Sequence, residues 1–385
     1  MRAIWIVAVL LWGGWAHAYV LREDSGGHPV RWAGPVSFAV QASFAQTLQE
    51  PRAMEAVNGA LDTWRHVLPE EGLSLQVEPL LNVGYDLSGL ASQNTILEPP
   101  EWTFSPDAIA VTVITVDNQT HQIVDADIAL NPNRSFRVLP PEGLLNTPYD
   151  DIQNALTHEL GHALGLAHNP DLTSAVMYPS ARAGETVKRT LSPDDLDAIS
   201  ALYGLPAPDG CSTTRASPAW LALVALALFA FKPLRKRAPL AVCLFLVPLA
   251  ALAADSERPP APAETAQAVL VAHVTQVRTL PPAKTQGPVL LFSEVTLKVD
   301  RCLKGTCPAS VVVRMAGGTL GHLEQYVADS PVPVPGDALG LTVEPGTDVA
   351  APAVRLTRIY ALQRARDFSA FAKGLSAAHL DRAVR

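Results

Sequence analysis

Between residues 19 and 205 the apolar positions switch between two periods, and the switches mark out the elements. Val36-Ser37-Phe38-Ala39-Val40 alternates with period two, as a strand does, and Leu73 to Val77 repeats the pattern. Between them Met54, Val57, Leu61, Trp64 and Val67/Leu68 recur at helical spacing and predict a helix over about 52–68. Residues 82–106, rich in Pro, Asn and Ser, read as loop. Ile109 to Val116 and Gln122 to Leu130 alternate again, joined by Asn118-Gln119-Thr120-His121, which is a hairpin pattern. Thr147-Pro148 then offers a cap and a first helical residue, and Asp150 and Asp151 suit the positive end of a helix dipole. A last helix is predicted from Ser192-Pro193-Asp194-Asp195 to about Tyr203, where Gly204 and Pro206 stop it. This mixture of strands and helices predicts an α+β or α/β domain.

Beyond 205 the pattern changes. Residues 206–216 read as a linker. Pro218 to Phe231 is apolar, Lys232 to Arg237 is basic, and Ala238 to Ala254 is apolar again. A Pro/Ala-rich stretch to about 264 leads into short β-like runs at 269–277, 289–299, 310–314, 338–343 and 354–361. Their spacing predicts a second, mostly β domain, a small barrel or sandwich, closed by a helix at 366–382. Four segments result: an export signal at 1–18, a domain at 19–205, a linker with two apolar runs at 206–254, and a β-rich domain at 255–385.

Composition and charge alter this picture in two places. Of 385 residues 48% are hydrophobic and 17% charged, so the chain has ample apolar material for two cores. The formal net charge is −8 and no long lysine/arginine patch lies in the globular parts, which argues against nucleic acid as a partner. At the N-terminus, Arg2, the apolar run Ile4 to Trp15 and Ala16-His17-Ala18 form an export signal with cleavage expected after Ala18. The four cysteines are Cys211, Cys243, Cys302 and Cys307, so residues 19–205 must fold without a disulfide. Cys302 and Cys307 flank a turn-like stretch and are expected to bridge in an oxidising compartment.

The chemistry concentrates in His158-Glu159-Leu160-Gly161-His162-Ala163-Leu164-Gly165-Leu166-Ala167-His168. Residues four apart share one helix face, so His158 and His162 can aim at one metal ion. Gly165 lets the chain leave the helix with a positive φ, and the turn returns His168 as a third nitrogen ligand. Three histidines leave one tetrahedral position for water, the arrangement of a catalytic rather than a structural zinc. Glu159 lies about 100° round the helix from His158 and is placed to act as a general base on that water.

This motif, HExxHxxGxxH followed by a methionine turn, resembles the metzincin peptidases. Ser174-Ala175-Val176-Met177-Tyr178-Pro179, with Met177 nine residues after His168, and the ending Leu191 to Gly204 are similar to the matrixin branch. Arg31-Trp32 and Trp64 are compatible with it. The resemblance covers 19 to about 205 and implies a twisted mixed sheet, an active-site helix and a zinc endopeptidase acting on extended polypeptides. It implies that Met177 forms the base under the histidines. It also implies that the edge strand, at Ala110, Val111, Thr112 and Val113, holds substrate by strand addition. Tyr178 and Pro179 would border the pocket for the side chain after the cleaved bond. No cysteine precedes the zinc motif, which excludes a thiol latch within this chain. A second, structural zinc site is not found: His121 reads as a lone surface residue. Asp125 and Asp127 share a strand face that reads as solvated, and Ca2+ there is possible but unsupported. The alternative class is a silent binding protein using the same cleft together with the β module.

Gly210-Cys211-Ser212, an apolar run and a basic cluster are similar to a MYXO-CTERM sorting tail, yet the chain continues. Lys232 to Arg237 can also open a second export signal, with Ala251-Leu252-Ala253 as its cleavage site. A membrane hairpin is the competing reading, although the two runs reach roughly 21 and 25 Å against a hydrocarbon core of about 30 Å. Either way residues 218–254 predict contact with a membrane or cell envelope, and both globular parts are expected outside the cytoplasm. His273, His322 and Gly317-Gly318 with Gly321 carry no recognisable chemistry.

Overall fold

Two sheets organise the chain. The computed structural model describes residues 19–68, 75–78, 93–105, 107–205, 266–280, 290–328, 330, 333–343 and 358–361. The export signal expected at 1–18, residues 206–254 and the helix expected at 366–382 lie outside the described residues.

The first sheet is built from β1 (Val36–Val40), β2 (Leu75–Glu78), β3 (Asn94–Leu97), β4 (Ala110–Asp117) and β5 (Gln122–Leu130). Their spatial order is β2-β1-β3-β5-β4. All neighbours are parallel except β4, which returns antiparallel from β5 through the predicted hairpin. A short helix, α1 (Phe44–Thr47), and then α2 (Ala53–Arg65) follow β1. In α2 the buried stripe is Ala53, Ala56, Val57, Ala60, Leu61 and Trp64, the spacing of a helix laid on a core. That core also takes Phe38 and Val40 from the sheet and Leu156 and Leu160 from α3 (Ile152–Ala163). The arrangement is a mixed sheet with its main helices packed on one face, the α+β alternative of the sequence reading.

Three local expectations need correction. β3 lies inside the segment read as loop; it is a four-residue strand, and such a short apolar run between Pro- and Ser-rich flanks gives little periodicity. Helix α3 does not open at Thr147-Pro148. Residues Tyr149–Asp151 form β7, paired parallel with β6 (Ser135–Arg137), and Asp151 is the cap, accepting from Asn154 N at 2.8 Å. Asp125 and Asp127 are not on a solvated face: each is 1% exposed, because β5 is covered on both sides. Asp127 Oδ1 accepts from the backbone N–H of Thr95 at 2.8 Å. The last helix, α4 (Pro193–Tyr203), matches expectation, with a Ser192/Asp195 capping box and Gly204 in the left-handed region.

The second sheet comprises β8 (Ala268–Leu280), β9 (Phe292–Lys304), β10 (Ser310–Ala316), β13 (Ala338–Val343) and β14 (Arg358–Ala361). Its order is β10-β9-β8-β13-β14, antiparallel throughout. Among the described residues this is one five-stranded sheet rather than a barrel or two-sheet sandwich. The expected Cys302–Cys307 disulfide is present.

A short hairpin, β11 (Gly318–Leu320) and β12 (Leu323–Val327), leaves that sheet and joins the first one. β12 pairs with β4, extending the first sheet to seven strands. The crossing explains two glycines without evident chemistry. Gly317 and Gly318 have φ of 102° and 146°, and a Cβ on Gly318 would lie 2.5 Å from Ser293 Oγ.

Candidate metal centre

Helix α3 carries His158, Glu159 and His162, and its ending determines where His168 falls. Gly165 N–H donates to His162 O and Leu166 N–H to Gly161 O, both at about 3 Å, a paired C-terminal closure round a left-handed residue. Gly165 has φ 97°, and a Cβ there would meet Val30 O at 2.3 Å, so only glycine fits this turn. Side chains satisfy the remaining helix carbonyls. Trp32 Nε1–H donates to Ala163 O at 2.7 Å and Tyr203 O–H to Leu164 O at 2.8 Å. Trp64 Nε1–H reaches Thr157 O at 2.9 Å and joins the two helices. Burial raises the Tyr203 phenol above its ordinary value, against smaller lowering effects of Trp32 and Arg31, so it stays a donor.

The three imidazoles converge through their Nε2 atoms. His158 Nε2 and His162 Nε2 lie 3.1 and 3.2 Å from His168 Nε2. Two nitrogens each about 2.0–2.1 Å from one tetrahedral zinc are about 3.3–3.4 Å apart, so the spacing fits that ion. The other ring nitrogens support the same assignment. His158 Nδ1 lies 2.6 Å from Val176 O and His162 Nδ1 2.9 Å from Leu166 O. A carbonyl only accepts, so both Nδ1 atoms carry the proton and both Nε2 atoms present lone pairs.

Glu159 is 3% exposed. The Thr112 hydroxyl lies 2.7 Å from its Oε2 and 3.0 Å from its backbone oxygen, tying the carboxylate to β4. Met177 lies beneath the helix, 2% exposed. A Cβ on Gly161 would fall 2.3 Å from Met177 Sδ, so the glycine in the motif makes room for the sulfur. Asp195 fixes the backbone of this turn. Its carboxylate accepts from Val176 N at 2.9 Å and Met177 N at 3.2 Å while also closing the capping box of α4. The sequence shows only the capping half of that role.

A cleft of about 430 Å³ opens beside the triad, lined by Ile109, Ala110 of β4, His158 and Glu159 of α3, Pro179, and Lys188. Of the expected substrate contacts, Ala110 and Pro179 line the cleft and Thr112 meets Glu159. Val111 and Val113 point their side chains into a separate apolar cluster with Leu97 and Ala129, away from the metal centre. Tyr178 is half-buried beside the turn. Lys188 is a further lining residue. It is 2% exposed, its N–H bonds Asn154 Oδ1, and its ammonium donates to Tyr178 O, fixing the wall that Pro179 continues. One lysine in a short 3-10 turn leaves no periodic signal.

His121, expected to be isolated, lies beside Asp24 and His28. Among the described residues these three and the His158, His162 and His168 set are the groups close enough to share a metal ion, and neither includes Asp125 or Asp127. No helix among the described residues is long and apolar enough to cross a membrane.

The mixed sheet, the antiparallel β4 beside α3 and the histidine triad over a buried methionine are the α+β arrangement that a resemblance to the metzincin peptidases implies. Residues 100–204 match the Matrixin family. Within the chain, 62 residues are 47% identical to neutrophil collagenase of Homo sapiens, covering 15% of this chain and 13% of that protein. Metalloendoproteinase 1 of Glycine max is 47% identical over 55 residues, 14% of this chain and 17% of that protein. Matrilysin of Homo sapiens is 50% identical over 50 residues, 13% of this chain and 18% of that protein. The chain thus spans less than a fifth of the length of each of these relatives. Matrixins bind zinc, and the triad fits a zinc site.

Proposed function

We propose that this chain is a zinc-dependent metalloendopeptidase that hydrolyses peptide bonds in extended polypeptides. The observation that supports it most is the triad geometry: three convergent Nε2 atoms, two of them oriented by Nδ1–H bonds to carbonyls, beside a carboxylate held by Thr112. His158, His162 and His168 would hold the ion. Zinc bound there supplies Lewis acidity, which lowers the pKa of a water and polarises a carbonyl. Glu159 takes the proton of the attacking water on a carboxylate oxygen and delivers it to the departing amine. The Thr112 hydroxyl keeps that carboxylate turned toward the cleft, and Met177 packs under the helix so that the imidazoles keep their spacing. Pro179 and Lys188 shape the recess for the residue after the cut bond. The domain at 19–205 supplies this machinery, and the chain as a whole acts outside the cytoplasm.

The reading is tested by cleavage of a peptide library before and after removal of metal with a chelator, and after zinc is returned. Cleavage at internal bonds should disappear and then recover. Unchanged cleavage in chelator, or none in fully zinc-loaded protein, would refute it.

A further inference from the structure

β12 lies on β4 antiparallel, Leu323 opposite Asp117 and Val327 opposite Val113. The pairing is bonded beyond both ends: Asn118 N–H donates to His322 O at 2.9 Å, and Ala328 N–H to Thr112 O at 2.7 Å. By the alternation of an antiparallel ladder, Thr112, Ile114, Val116 and Asn118 are the positions that point their backbone groups outward, toward β12. Thr112 is also the residue that holds Glu159, and the next outward position, Ala110, lines the cleft. The chain direction of β12 therefore runs along β4 toward the catalytic carboxylate. A polypeptide laid on β4 through Ala110 and Thr112 to reach Glu159 would compete with β12 for the Thr112 backbone and for the outward groups beyond it.

β12 is secured by more than the ladder. Glu324 is 2% exposed and accepts from Ser25 N at 3.0 Å, from Asn118 Nδ2 at 2.8 Å and from the Tyr326 hydroxyl. Gln325 Oε1 accepts from Leu291 N at 2.8 Å, joining the hairpin to the second sheet. Val327 fills the apolar cluster of Val111 and Val113.

We infer that β12 is a resident strand ligand of the peptidase cleft, so that internal cleavage of a long polypeptide requires β12 to leave β4. The inference rests on the peptidase reading above. A reversible lock tests it in the full chain. Thr115 and Gln325 are directly opposite and form a non-hydrogen-bonded pair, whose close Cα spacing suits a disulfide. Thr115→Cys with Gln325→Cys should, when oxidised, cleave an unfolded cysteine-free polypeptide at least tenfold more slowly than when reduced with a phosphine. The unsubstituted chain under the same treatment is the control. Val113→Cys with Val327→Cys, the neighbouring pair of the same type, serves if the first pair does not fold. Equal rates in locked and reduced forms would overturn the inference and leave the peptidase reading standing. No cleavage by any zinc-loaded form would defeat the peptidase reading, and the inference with it.

A second inference comes from the group at the other end of the β4–β5 hairpin. Asp24-Ser25-Gly26-Gly27-His28 folds back on itself, with Gly27 N–H donating to Asp24 O and Asp24 N–H to His28 O. The turn brings His28 Nδ1 to 3.5 Å from Asp24 Oδ1, and His121 Nδ1 lies 2.5 Å from Asp24 Oδ2. The two rings face each other at 4.0 Å. The Asp24 carboxylate is 1% exposed, whereas the imidazoles are 58% and 37% exposed, leaving the outer side open to water.

The geometry points to a surface site for a divalent transition ion such as zinc, held by Asp24, His28 and His121. Metal counting by native mass spectrometry, on chains dialysed against micromolar zinc, tests it. The unsubstituted chain should hold two ions. His121→Ala and His28→Ala should each hold one, and His162→Ala should keep the surface ion. A count unaffected by His121→Ala would overturn the assignment.

Discussion

An alanine at Gly161 should destabilise the protein although it sits inside a helix. In an isolated helix glycine to alanine gains about 1 kcal/mol, because alanine loses less backbone freedom. Here the added Cβ would stand 2.3 Å from Met177 Sδ and 3.0 Å from Trp64 Cζ2. An ordinary contact needs about 3.5–4.0 Å, so the sulfur must move by more than 1 Å. It has little freedom to do so, since the Met177 backbone is held by Asp195 on its N–H and by Asn169 on its carbonyl. Overpacking of this kind costs about 1–3 kcal/mol, so after the propensity gain the net loss is up to about 2 kcal/mol. Thermal unfolding should show the midpoint falling by up to about 8 °C. Gly59→Ala is the matched control. It lies within α2, where the new Cβ would meet only the end of the half-buried Gln153 side chain, 2.8 Å away. That change should leave the midpoint unchanged or raise it. If Gly161→Ala raised the midpoint as well, Met177 would not lie under this helix, and the base of the metal centre would be misassigned.

Other expectations follow from single contacts. Asp195→Asn leaves one acceptor oxygen for donors that now use two, and should lower stability by about 1–3 kcal/mol, measured by denaturant titration, with weaker zinc retention. Thr112→Val removes the hydroxyl that holds Glu159. Cleavage should fall about 10–100-fold with zinc content and thermal midpoint unchanged, whereas an unchanged cleavage rate would show the bond to be only structural. Burial would raise the Glu324 carboxyl, but donors on Ser25, Tyr326 and Asn118 outweigh it and hold the group below its ordinary 4.5. Its stabilising effect is therefore present above about pH 4.5 and lost as pH falls through the lower folded value. The stability gap between the unsubstituted chain and Glu324→Gln, followed by thermal melts, should close below pH 4.5; a gap constant to pH 3 would contradict this.

How much was legible in the sequence varied with the range of the interaction involved. The helix α2, the β4–β5 hairpin, the α4 capping box and the three-histidine motif are encoded by residues a few positions apart, and local rules find them. The charge of Asp151 suits a helix start, but its capping role depends on β7 pairing with β6, so local rules place the helix start too early, at Thr147-Pro148. The burial of Asp125 and Asp127 depends on what covers β5, which alternation alone does not reveal. Lys188 at the cleft wall and Asp24 beside His121 are joined only by the fold, across about 30 and 97 positions of chain respectively. The β11–β12 hairpin leaves little trace in the sequence because its three- and five-residue strands, joined by Gly321-His322 and preceded by Gly317, resemble loop. Yet it covers the edge of the strand nearest the candidate catalytic residues.

Glu159→Gln tests the central claim most directly, because the substitution keeps the size and hydrogen-bonding capacity of the side chain and removes its basicity. Zinc content, thermal midpoint and peptide cleavage would be measured on this variant beside the unsubstituted chain and His162→Ala. The account predicts that Glu159→Gln keeps its metal and its stability while cleavage falls by about 10²–10⁴-fold, and that His162→Ala loses the triad ion together with activity. Cleavage by Glu159→Gln at the rate of the unsubstituted chain would mean that this carboxylate is not the base, and would contradict the account.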